Sequence, residues 1–121
     1  MKNFTISDKA ALPRWALALT ILFAAAIAWG TLKPPGSGDG SFPLTDKQAH
    51  ALAFALLVLP LSVAAPRLIP KLAISALIFG GVIELIQPSF GRSGDWGDWV
   101  ADAVGIAVGV LPGFWQKRKK R

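Results

Sequence analysis

Long apolar runs separated by short polar segments divide the chain into four parts. The runs cover residues 15–32, 49–65, 72–87 and 99–115. The first has no charged side chain, and as a helix it would extend for roughly 27 Å, close to the thickness of a bilayer's hydrocarbon core. A soluble amphipathic helix needs a polar face, which this run lacks. The pattern therefore predicts an all-α polytopic membrane protein with four short transmembrane helices.

The composition supports this prediction. Hydrophobic residues make up 53% of the 121 residues and charged residues 17%, which leaves too few polar side chains to cover a soluble globule. The formal net charge is +6, but the basic residues lie at the chain ends and between the apolar runs. This distribution favours the lipid bilayer as a partner and gives no indication of nucleic-acid binding. The absence of cysteine excludes disulfides and thiolate metal sites.

Lysine and arginine near the span ends predict the orientation, because they are retained on the cytoplasmic side. Basic residues precede the first run, separate the second from the third, and follow the fourth. Both termini are therefore predicted to be cytoplasmic, with an N-terminal segment at 1–14, a membrane domain at 15–115 and a basic tail at 116–121. A cleavable signal peptide is the alternative for the first run, since Ala26 and Ala28 are small enough for a cleavage site.

Each of the last three predicted helices carries polar residues and glycines on one face, at spacings of three or four. On the fourth helix this face comprises Asp95, Asp98, Asp102, Gly105 and Gly109. On the third it comprises Gly80, Glu84 and Gln87, and on the second it comprises Asp46 and His50. Because successive helices alternate in direction, these polar sets are predicted to meet at the outer end of the bundle.

An ionisable residue within a span is costly, so it indicates a functional site. The predicted ligand-binding site or polar network comprises His50, Glu84, Gln87, Arg92, Asp98 and Asp102. The alternative is an interhelical network that only fixes the helix register. The secondary candidates, which can also act as helix caps, are Asp46, Lys47 and Asp95. The glycines interpreted as helix-packing positions are Gly80, Gly105 and Gly109.

The sequence does not predict a metal site or a cofactor. His50 is the one histidine, there is no HExxH-like spacing, and the carboxylates would reach it only through the fold. Catalytic residues are left unassigned. Trp96, Trp99 and Trp115 are predicted to anchor helix ends at the membrane interface.

The order of these polar residues resembles the VanZ-like family of bacterial membrane proteins. The blocks are Asp46-Lys47-x-x-His50, Glu84-x-x-Gln87, Gly91-Arg92-Ser93 and Asp98-x-x-x-Asp102-x-x-Gly105, within roughly residues 40–110. That family often has Asn at the position of Asp102, so the acid here adds a charge. The resemblance implies a multi-pass protein of the bacterial cytoplasmic membrane and cell envelope, in a family associated with resistance to the glycopeptide teicoplanin.

Three functions are compatible with the polar residues. The first is binding or transport of an anionic envelope component, such as a lipid-linked phosphate, with Arg92 holding the phosphate while His50 and either Glu84 or Asp98 bind or exchange protons. The second is an enzyme in which a His–carboxylate pair acts on an envelope lipid. The third is a structural subunit of a membrane complex with no ligand of its own. A homo-oligomer through Gly105 and Gly109 is possible, although the intramolecular site uses the same face.

Overall fold

The computed structural model describes residues 12–32, 46–90 and 96–119, and these residues form helices without any strand. The α-helices are α1 (Arg14–Leu32), α2 (Asp46–Ala64), α3 (Ile69–Ile86), α4 (Trp96–Gly109) and α5 (Leu111–Lys119). Short 3-10 helices, Pro66–Leu68 and Gln87–Phe90, flank α3. Four helical stretches are long and apolar enough to cross a membrane, which confirms the predicted all-α, four-span fold.

The third and fourth spans differ from their predicted bounds. The two 3-10 helices extend the third apolar stretch to 24 residues, Pro66–Ser89. The fourth span, Trp96–Gln116, consists of α4 and α5, and backbone hydrogen bonds from Val110 to Ile106 and from Phe114 to Val110 continue across the junction. Pro112 has no backbone N–H to donate and its ring disfavours a regular helix, which explains the irregular residue at this point. α5 also continues to Lys119, so most of the predicted basic tail is helical.

The closest helix pair consists of α2 and α4, which run parallel. Gly105 lies against Ala51, and Gly109 lies against Ala55, so residue numbers rise together along both helices. A Cβ atom at Gly105 would overlap the carbonyl oxygen of Ala51, and one at Gly109 would lie 2.5 Å from the carbonyl oxygen of Ala55. Only glycine permits this backbone approach. It aligns the first turn of α2 with the first turns of α4.

The first helix is peripheral. α2 packs against α1, α3, α4 and α5, whereas α1 has two buried residues, Ala16 and Ile27. Its other side chains include Ile21, 67% exposed, and Trp29, 71% exposed, which face the surroundings that lipid would fill. Phe54 of α2 is 1% exposed and belongs to the apolar core between the helices. The polar end of the bundle is consequently built by α2, α3 and α4.

Candidate functional site

A polar cluster occupies the end of the bundle where α2 and α4 begin and α3 ends. This polar cluster comprises Lys47, His50, Glu84, Asp98 and Asp102. The three carboxylic residues are buried, since Asp102 is 1%, Glu84 3% and Asp98 8% exposed. Asp102 lies six residues into α4, which corresponds to a depth of about 9 Å below Trp96. The cluster is therefore near one end of the bundle and not at its middle.

A short contact in the cluster joins His50 to Asp102. The distance between His50 Nδ1 and Asp102 Oδ1 is 2.7 Å, which is a hydrogen bond between α2 and α4. The other carboxylate oxygen of Asp102 faces α3, where a Cβ atom at Gly80 would lie 2.6 Å from it. Gly80 thus makes room for the Asp102 carboxylate. This role goes beyond the helix packing that the sequence suggested.

Asp98 contacts both the lysine and the histidine of the cluster. Its Oδ1 is 3.3 Å from Lys47 Nζ, and its Oδ2 is 3.7 Å from His50 Nε2. The Lys47 side chain is 56% exposed, whereas those of His50 and Asp98 are 11% and 12% exposed. Lys47, a secondary candidate in the sequence, therefore lies at the rim of the cluster and forms part of it.

Glu84 brings the third helix into the cluster. One of its carboxylate oxygens lies within 4.8 Å of both a His50 ring nitrogen and an Asp98 carboxylate oxygen. The i, i+4 spacing from Gly80 places both residues on the face of α3 that is directed at α2 and α4. Side chains from three different spans thus converge on one point, as the alternating directions of the helices predicted.

Gln87 has a different role from the other predicted centre residues. Its Nε2 donates a hydrogen bond of 2.9 Å to the backbone oxygen of Thr31, at the end of α1. Gln87 is 2% exposed, and its Oε1 accepts no hydrogen bond within the described ranges. The side chain therefore connects α1 to the polar end.

Three predicted positions cannot be placed. Arg92 and Asp95 lie outside the described residues, so the predicted phosphate contact of Arg92 stays a prediction. Asp46 is the first residue of α2, but its side chain also lies outside the described part.

Sequence reasoning missed the role of Trp99. Its Nε1 donates a 2.9 Å hydrogen bond to the backbone oxygen of Leu77, and its ring lies against Gly81. This hydrogen bond gives Trp99 a contact with α3 that the sequence did not predict, and its place at the membrane interface stays a prediction. Trp96 and Trp115 are 54% and 69% exposed, as an interfacial position allows. The glycine at position 81 is the sequence signal that could have revealed space for a large neighbour.

A second missed contact lies further along the pair of parallel helices. The hydroxyl of Ser62, which is fully buried, shares its single hydrogen between the backbone oxygens of Leu59, at 3.0 Å, and Gly109, at 3.2 Å. It therefore links α2 to the end of α4. The face of Gly105 and Gly109 that was considered for a homo-oligomer is covered by α2 of the same chain.

The fold and the site define a class: a four-span helical membrane protein with a buried histidine–carboxylate cluster at one end of its bundle. Such a cluster can exchange protons, bind a cation or pair with a charged ligand. No family model matches the chain, and no curated protein or solved structure shows significant similarity to it.

Proposed function

We propose that this chain is a VanZ-like protein of the bacterial cytoplasmic membrane that binds or transports an anionic envelope component at its outward-facing polar end. A lipid-linked phosphate is the ligand that fits this position best. The observation that supports the proposal is the polar cluster itself. Its Lys47 lies at the exposed rim and contacts Asp98, which is largely buried beside His50. A membrane protein retains buried charges of this kind mainly where they act.

The depth of the cluster matches the position of a lipid headgroup. A lipid with its acyl chains in the bilayer presents its phosphate in the outer layer, at a level comparable to the first turns of α2 and α4. Lys47 would pair with the phosphate as a mobile point charge, and Arg92, which lies between α3 and α4 in the sequence, would hold it through its planar fork. His50 and Asp98 would exchange protons with the bound headgroup.

Charge is the physical difficulty for an anionic ligand. The polar cluster contains three carboxylic residues, one imidazole and one lysine. A phosphate entering it must therefore displace the Lys47–Asp98 ion pair or find additional positive charge. Cationic residues at the rim are consequently the ones whose removal should weaken binding most.

Mass spectrometry of copurified lipids tests the proposal. The unmodified protein is compared with Lys47→Ala and Arg92→Ala, and Lys71→Ala is the matched control because Lys71 is an exposed lysine near the opposite end of α3. We expect an enriched anionic lipid on the unmodified protein and on the control, and an approximately tenfold loss in both rim variants, equivalent to about 1.4 kcal/mol of binding free energy. Equal lipid content in all four proteins would reject the proposal.

The second candidate function is an enzyme, and the His50–Asp102 contact favours it. A carboxylate 2.7 Å from a ring nitrogen orients an imidazole as a general base, which could activate water or a hydroxyl group toward an envelope lipid. His50→Gln should then keep the protein folded but stop turnover of a phosphate-ester lipid. Absence of turnover by the unmodified protein on both phosphate-ester and peptide-linked lipids would eliminate this candidate.

A further inference from the structure

We propose that the polar cluster is a binding site for one divalent transition-metal ion, Zn²⁺ by its donor set. His50 Nε2, a carboxylate oxygen of Asp98 and a carboxylate oxygen of Glu84 are the ligands, and Asp102 orients the imidazole. A ring nitrogen of His50, a carboxylate oxygen of Asp98 and a carboxylate oxygen of Glu84 come from three helices and lie within 4.8 Å of one another. The sequence did not predict this site, because the ligands are 34 and 14 residues apart along the chain (50 to 84 and 84 to 98).

The imidazole has the arrangement of a metal ligand. Histidines that bind metals commonly donate their other ring N–H to a carboxylate, which fixes the tautomer and the direction of the ring. Here the Nδ1 of His50 is 2.7 Å from Asp102 Oδ1. With the proton on Nδ1, the lone pair of Nε2 is directed away from Asp102 and is available for a metal.

The distance on the other side of the ring also fits a metal site. His50 Nε2 is 3.7 Å from Asp98 Oδ2, which is too long for a hydrogen bond. Two ligand atoms of a tetrahedral Zn²⁺ site are separated by about 3.4 Å, because each lies about 2.1 Å from the ion. Asp98 Oδ1 pairs with Lys47, so Lys47 holds the carboxylate while Oδ2 stays directed at His50.

The donor set selects the ion. One imidazole nitrogen with two carboxylate oxygens suits Zn²⁺ better than Mg²⁺ or Ca²⁺, which prefer oxygen ligands alone. Three protein ligands leave the fourth tetrahedral position for water or a ligand atom. The bound ion would also offset the negative charge of the buried carboxylates, which are costly at this depth.

One observation outside the ligand set supports the proposal. Gly80 leaves space for Asp102, and a Cβ atom there would press on the carboxylate that orients His50. α3 therefore contributes both the ligand Glu84 and, at Gly80, the space that the Asp102 carboxylate occupies.

The metal site goes beyond the proposed function and does not depend on it. If the chain binds a lipid phosphate, the ion would supply the positive charge that the carboxylates otherwise oppose, by contacting a phosphate oxygen at its open position. Metal binding is measurable without any lipid, so the two proposals can fail separately.

The experiment uses the full-length protein in detergent, stripped with a chelator and without a polyhistidine tag, because such a tag would bind Zn²⁺. Calorimetry with Zn²⁺ measures stoichiometry and affinity, and visible absorption with Co²⁺ reports the ligand geometry. We expect one ion per chain, tetrahedral Co²⁺ bands, and binding of Mg²⁺ at least about 100-fold weaker than that of Zn²⁺.

Variants assign the ligands. His50→Gln, Glu84→Gln and Asp98→Asn should each weaken Zn²⁺ binding by about 100-fold or more, and Asp102→Asn by about 10- to 100-fold, as expected for an orienting carboxylate. The control is Asp8→Asn, which makes the same chemical change before the first helix and should leave affinity unchanged. Circular dichroism checks that each variant stays helical. Asp102→Asn preserves the side-chain shape, so it provides the test if a ligand variant does not fold.

Three results would overturn the metal site. The first is no saturable Zn²⁺ binding by the unmodified protein. The second is unchanged affinity in the ligand variants, and the third is tighter binding of Mg²⁺ than of Zn²⁺. Zn²⁺ binding with no enriched lipid would keep the metal site and reject the lipid proposal, whereas lipid binding without Zn²⁺ would do the reverse.

Discussion

The first and fourth spans look alike in length and overall apolar character, but they occupy opposite kinds of position. α1 is apolar on all sides and largely exposed, and nothing lies within 4 Å of where a Cβ atom would be at its Gly30. α4 carries Asp98 and Asp102 and has its Gly105 and Gly109 in direct contact with α2. The less uniformly apolar helix is therefore the more buried one. In lipid, apolar side chains gain nothing by leaving their surroundings, so small and polar residues decide which helices associate.

The largest expected difference in stability is between two glycine-to-alanine substitutions, one on α4 and one on α1. Gly105→Ala should lower the free energy of unfolding by about 3 kcal/mol, because the new Cβ would overlap the backbone of Ala51. Gly30→Ala, in open space on α1, should be neutral or stabilise the protein by up to about 1 kcal/mol through helix propensity. Unfolding in mixed detergent micelles, followed by circular dichroism, measures both. Similar values for the two variants would remove the distinction between the helices.

The next largest effect concerns polar groups inside the bundle. A double-mutant cycle with His50→Ala and Asp102→Ala should give a coupling free energy of about 1–2 kcal/mol, because their 2.7 Å contact joins two helices. On α1, the buried hydroxyl of Thr20 has no hydrogen-bond partner among the described residues. Thr20→Val should therefore change stability by less than about 0.5 kcal/mol. A coupling energy near zero would show that the His50–Asp102 contact does not stabilise the bundle.

Two adjacent glycines of α3 should differ in how much stability is lost when each is replaced by alanine. Gly80→Ala should cost about 1 kcal/mol, because a Cβ atom there would lie 2.6 Å from the Asp102 carboxylate. Gly81→Ala should have a smaller effect, since its Cβ atom would lie 3.4 Å from the Trp99 ring nitrogen. Unfolding measurements should also show that Asp102→Ala abolishes the cost of Gly80→Ala. A cost that persists in that background would assign Gly80 to helix packing alone.

The smallest effect is expected where α1 joins the other helices. Gln87→Leu removes the 2.9 Å hydrogen bond to the backbone of Thr31 and should cost about 0.6 kcal/mol, the usual value for a hydrogen bond between membrane helices. Hydrogen exchange should become faster at the end of α1 and stay unchanged in α2. Gln116→Leu, at an exposed position of α5, is the matched control. Unchanged exchange at the end of α1 in the Gln87 variant would contradict this role.

Helical spacing predicted much of the site. It placed His50, Glu84, Asp98 and Asp102 on inward faces at one end, and the structure brings these four side chains together. Spacing could not predict that Gln87 binds α1 instead of joining these four side chains, because residues on one helix face can still reach different neighbours. The hydrogen bond of the Trp99 indole could not be predicted for a related reason, since its acceptor is a backbone oxygen that no sequence pattern marks.

The sequence by itself determined that there are four spans and which of their faces are polar, because both follow from hydropathy and from the period of the helix. Only the tertiary structure decided that α2 and α4, which are not consecutive, form the closest pair. That pairing depends on the contact between the backbones of Gly105 and Ala51, two residues that lie 54 positions apart in the sequence (105 − 51). The distances within the polar cluster follow from this approach, because it sets how near the first turn of α2 comes to Asp98 and Asp102.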